Sequence, residues 1–122
     1  MWNKRIIFAF GLVALLGSSV GFAQKIVPEN DSSTAALVEV CSKLDDVDAQ
    51  NFCFGFGEGV YQSYVANHPN PSQRQFCLPK NGDTREEILK SFLAWNKANP
   101  KFNKDPAVKS IIRFFKTQYP CK

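Results

Sequence analysis

The chain has 122 residues, with 15 Lys and Arg against 11 Asp and Glu, one His and four Cys. That length holds one domain and excludes large catalytic folds such as the barrels of about 250 residues and the two-half dinucleotide binders. A net charge of +4 is too weak to argue for nucleic acid.

The first 23 residues read as a cleavable signal peptide. Met1–Arg5 carries Lys4 and Arg5, Ile6–Leu16 is apolar throughout, and Gly17–Ala23 is small, with Gly21 and Ala23 at the −3 and −1 positions of the expected cleavage site. The apolar run is shorter than the roughly 20 residues a bilayer span needs, and no Cys follows it closely, so no membrane anchor is expected. Its removal leaves 99 residues with a net charge of +2, split unevenly along the chain. Residues 24–60 hold seven acids and two bases, whereas residues 61–122 hold eleven bases and four acids. Such asymmetry steers the approach of a charged partner where the fold keeps the halves apart.

After a polar, flexible leader over 24–32, which contains Pro28, residues 33–122 carry helical signals only. Leu37, Val40, Cys41 and Leu44 form one apolar stripe of a helix starting near Ser33. Asp45-Asp46-Val47-Asp48 is a break that supplies N-cap candidates. A second helix follows to about Asn67, with Phe52, Phe56, Val60 and Tyr64 in register, and Pro69 and Pro71 prevent its continuation. Lys80-Asn-Gly-Asp reads as a turn. Thr84 and Glu87 form a capping box ahead of Ile88, Leu89, Phe92, Leu93 and Trp95, and Asn99-Pro100 closes that third helix. Asp105 is the expected cap of a fourth, with Pro106 in its first turn and Val108, Ile111, Ile112 and Phe115 as its apolar face. The expected fold is an all-α, up-down bundle of four helices.

Four Cys in an exported domain of this size read as two disulfides. In an up-down bundle the end of helix 1 meets the start of helix 2, and helices 2 and 4 end at the other pole. That favours Cys41–Cys53 and Cys77–Cys121 among three possible connectivities. Zinc is disfavoured, because the cysteines lie 12, 24 and 44 positions apart and His68 is near none of them. No cofactor is expected. Within the second helix, Gly55, Gly57 and Gly59 each cost about 1 kcal/mol relative to Ala. The spacing fits neither a dinucleotide motif nor a P-loop. Gly55 and Gly59 therefore read as a flat strip for close helix packing, or for a two-fold contact with a second copy.

Phe52-Cys53-x-Gly55-Phe56-x-x-Gly59-Val60, then Cys77-x-Pro79, Pro100, Pro106-Ala107 and a closing Tyr119-Pro120-Cys121 resemble the Rap/Tai family over roughly Val38–Cys121. The resemblance implies an all-helical periplasmic immunity protein of a Gram-negative bacterium, without enzymatic activity and often a homodimer. Its implied partner is a peptidoglycan amidase toxin of type VI secretion, a papain-like cysteine hydrolase whose cleft it occludes. An inhibitor of that kind uses protruding loops set by a rigid scaffold. Two qualify. The loop His68–Lys80 offers Asn70 and Arg74 and is stiffened by three prolines. The tip Asn99–Asp105 offers Lys101, Phe102 and Lys104, with Phe102 as the expected anchor.

Catalysis is disfavoured by the residues themselves. Every Cys has a disulfide partner to find, and thiol or Ser-His chemistry would have to use His68, which lies beside Pro69 at a turn. The alternative function is a small periplasmic helical stress chaperone that exposes apolar surface in acid, or an orphan binding protein of the same fold. Phe54, Phe102 and Phe114, which lie off the main stripes, favour the chaperone.

Overall fold

The computed structural model describes residues 30–122, so the expected signal peptide and most of the leader lie outside the described residues. Four α-helices and two short 3-10 turns occur in chain order: α1 (Thr34–Cys41), α2 (Val47–Asn67), a 3-10 turn at Pro71–Gln73, α3 (Arg85–Ala98), a 3-10 turn at Pro100–Phe102, and α4 (Ala107–Gln118). The only extended pairings among the described residues are the single bridges Ser33 to Pro106 and Phe76 to Pro120. No helix among the described residues is long and apolar enough to cross a membrane.

Three helices start as the sequence predicts, each on a side chain that satisfies an otherwise orphaned N–H. Ser33 accepts from the amide of Ala36, Asp46 from that of Ala49, and Thr84 and Glu87 form a reciprocal capping box. The fourth start is different. Pro106 occupies the cap position with no side-chain cap bond, and the Asp105 carboxylate instead reaches forward to pair with Arg113. The capping is reciprocal with α1. Ala107 N of α4 donates to the Ser32 carbonyl, and the first amides of α1 donate the other way, Thr34 N to the Asp105 carbonyl and Ala35 N to that of Asn103. The starts of α1 and α4 therefore lie side by side, so α1 enters beside the beginning of α4 rather than its end. Thr34 closes the joint. Its buried hydroxyl lies 2.8 Å from the Asp105 carbonyl and 2.7 Å from Ser110 Oγ. With one proton, it donates to the carbonyl and accepts from Ser110.

Leu37, Val40, Leu89, Phe92, Ile111, Phe114 and Phe115 form the centre of the core. Three expectations are corrected here. Leu44 is 66% exposed, because α1 stops at Cys41 and the stripe never reaches it. Val108 is 45% exposed whereas Phe114 is 1% exposed. The α4 helix touches all three other helices, and the face that this buries is Ala107, Ser110, Ile111, Phe114 and Phe115, rotated from the face its period suggested.

Cys41 is joined to Cys53 and Cys77 to Cys121, the pairing the bundle topology predicts. The second bridge fastens the long α2–α3 loop to the end of α4. The Cys77 amide adds a 2.8 Å bond to the Tyr119 carbonyl. Further along, Gly82 N donates to the Pro79 carbonyl, and a Cβ at Gly82 would come within 2.2 Å of the Pro79 ring. That turn admits only glycine.

Breaking the second bridge frees a loop that spans 44 positions. We expect Cys121→Ser to lose about 2–5 kcal/mol in a denaturant titration, the range for native bridges in small secreted domains.

Candidate partner-binding surfaces

The His68–Lys80 loop is held along its length. Asn70 Oδ1 accepts from both the amide and the hydroxyl of Ser72, which shapes the 3-10 turn. Arg74 Nε donates to the His68 carbonyl at 2.9 Å, and its guanidinium also reaches the Pro69 carbonyl. Gln75 N donates to Tyr64 Oη at 2.7 Å. The buried ring of Phe76 stacks on Tyr64 and Phe115 with centroids 4.1 and 5.1 Å away. Asn70 is exposed on the surface of this loop, whereas half-buried Arg74 fixes its shape from within.

At the Asn99–Asp105 tip, Phe102 is not the protruding anchor expected of it. Its ring is half-buried, stacked on Trp95 at 5.7 Å and nearly parallel to it. The Arg113 guanidinium lies 4.3 Å from the ring centroid and Lys101 Nζ 5.1 Å. Buried Asn96 donates to Asn103 Oδ1 at 2.8 Å and ties the tip to α3. Aromatic contact and cation–π attraction hold Phe102 against the bundle end. Lys101 and Lys104 are exposed beside it.

The sequence reading missed the α1–α2 turn. Leu44 and Val47 are 66% and 71% exposed, next to the exposed carboxylates Asp45 and Asp48. The turn is braced from behind by Cys41–Cys53. Gln50 Nε2 donates to the carbonyls of both Cys41 and Lys43, and Asp46 caps α2. Two apolar side chains on a cross-linked turn lose little freedom on docking and gain by desolvation. The signal was present in the sequence: Leu44 directly precedes Asp45-Asp46, where no helix stripe could continue inward.

The glycine strip also behaves differently from expectation. Gly55 and Gly59 are exposed, and a Cβ on either would meet nothing within 4 Å. Among the described residues they do not serve helix packing, because α2 turns Ala49, Cys53, Val60 and Tyr64 toward the core instead. The strip lines an open groove with Phe56 on its own helix and Val108 and Ile112 from α4. Phe52 packs on Phe56 at the margin of the core.

These loops and the groove are the exposed features of a braced, all-helical domain with two disulfides. The family model of the Rap1a immunity proteins matches residues 33–121, and the chain belongs to that family. No curated protein and no solved structure matches it.

One titration reports on the loop closure. Tyr119 Oη donates to Asp83 Oδ2 at 2.6 Å, and burial, followed by the Asp83 carboxylate, pushes the phenol up to about 12. The folded value lies above the ordinary one, so the neutral phenol's contribution is whole below pH 10 and lost as pH rises toward 12. We expect absorbance titration, differenced against Tyr119→Phe, to place this phenol late, and Asp83→Asn to bring it earlier.

Proposed function

We propose that this chain is an exported immunity protein that binds a cognate peptidoglycan amidase toxin, delivered by type VI secretion, and blocks its active-site cleft in the periplasm. The family match over residues 33–121 carries this reading. The rigid scaffold and pre-ordered loops supply the means. The protein acts by binding and performs no catalysis of its own. The stress-chaperone alternative loses its main support, since Phe114 is buried and Phe102 is stacked on Trp95.

Leu44 and Val47 are the anchor we assign, because burying exposed apolar side chains on a fixed turn is the contact most rewarded at an interface core. The two loops, through Asn70 and Arg74 and through Lys101, Phe102 and Lys104, are the alternative contacts. The test is capture of an amidase encoded beside this reading frame, with its peptidoglycan hydrolysis measured against added immunity protein. Leu44→Asp with Val47→Asp should leave stability within about 0.5 kcal/mol, as exposed changes do, and weaken inhibition about 30-fold or more, the effect of losing a hot spot. The pairs Asn70→Ala with Arg74→Ala, and Lys101→Ala with Phe102→Ala, should have smaller effects. An amidase that is neither retained nor inhibited refutes the function; inhibition indifferent to Leu44 and Val47 refutes the anchor.

The same reading includes a homodimer closed through the Gly55–Gly59 groove, whose open glycines allow two helices to approach closely. Light scattering at high concentration should give twice the chain mass, and Gly59→Leu should return it to the monomer value. A monomer mass for the native protein removes the claim.

A further inference from the structure

Beside the core, between α2 and α3, an apolar cavity of about 90 Å³ opens to solvent. Phe92 and Phe114 form its buried floor, and half-buried Phe54, Tyr61, Leu78 and Ile88 surround them. Its two charged neighbours are already engaged. The Arg85 guanidinium lies 4.5 Å over the Phe54 ring and Nε bonds Glu86 Oε1, while Glu58 Oε1 accepts from Gln62 Nε2 at 2.7 Å. Nothing at the opening calls for a charged ligand.

Gly57 ties this cavity to the motif that the fold leaves unexplained. It lies in the interior of α2, where glycine is unfavourable. It lines the cavity, and a Cβ there would meet nothing within 4 Å. Packing therefore does not require glycine at this position. A larger side chain would occupy space at the opening. An empty apolar cavity also destabilises a fold in proportion to its volume, so both features weaken the protein unless the space is used.

We propose that this cavity binds a small neutral apolar molecule, a single ring or a branched alkyl chain, and that Gly57 keeps its opening clear. The enclosed space of about 90 Å³ is smaller than the engineered apolar cavity of about 150 Å³ that takes benzene, so a ring or branched chain enters only in part and the rest of it stands in the opening that Gly57 borders.

Toluene is the probe, titrated into the purified protein and followed by methyl NMR. Saturable shifts should appear at Leu78, Ile88 and Ile111, with a dissociation constant of about 1 mM or tighter, the affinity so few heavy atoms allow. The thermal midpoint should rise with toluene concentration, as linkage requires. Gly57→Leu should keep or raise the midpoint without toluene, since it removes a helix glycine, and should weaken toluene binding about tenfold or more by filling the opening. Ile88→Phe fills the same space from α3 and decides the matter if the first variant does not fold. Absence of saturable shifts in the native protein overturns the proposal. So does undiminished affinity in a folded filled variant.

Discussion

The ring of Phe76 is carried by a loop and yet is only 1% exposed, lying between Tyr64 of α2 and Phe115 of α4. A loop places a large aromatic in a core only if its own backbone groups are satisfied nearby. Here the neighbours on either side are held: Gln75 by the Tyr64 hydroxyl and Cys77 by the Tyr119 carbonyl. The disulfide to Cys121 then makes the arrangement permanent. Without that ring α2 and α4 would face a gap, and the aromatic cluster would lose the contacts that Phe76 makes with Tyr61, Tyr64 and Phe115.

This closure gives the molecule a surface of fixed loops rather than mobile ones. Flexible loops spend interaction energy on being ordered when they dock; fixed ones do not. The α1–α2 turn, the long loop and the α3–α4 tip each have their own brace: a disulfide with Gln50, a disulfide with Arg74, and the Asn96–Asn103 pair with the Trp95–Phe102 stack. The charge division along the chain places Asp45 and Asp48 at one of these features and Lys101 and Lys104 at another. A partner therefore meets opposite fields at different approaches, which favours one orientation over others.

Helix positions are legible because apolar period, caps and prolines agree, and Ser33, Asp46 and the Thr84–Glu87 box all act as their residue types suggest. The failures have a common origin in tertiary context. Periodicity cannot say which face of α4 meets the three other helices, so it sets Phe114 outside the core and Val108 within it. Composition cannot say that Arg113 and Trp95 hold Phe102, since neither is its sequence neighbour. Glycine identity likewise does not reveal what lies opposite: Gly82 meets a proline ring, whereas Gly55 and Gly59 meet open space. The candidate surface obeys the same rule. Its loops are visible from their prolines, but the exposure of Leu44 depends on where α1 stops.

The two disulfides join the first cysteine to the second and the third to the fourth. Under the export proposed above, with the amino end crossing first, this order has a consequence for maturation. Cys41 and Cys53 would emerge as a neighbouring pair, ahead of the next two thiols. Oxidation in order of appearance would then yield the native connectivity directly. Such a route needs no reshuffling, a step that takes seconds to hours and an attacking thiolate.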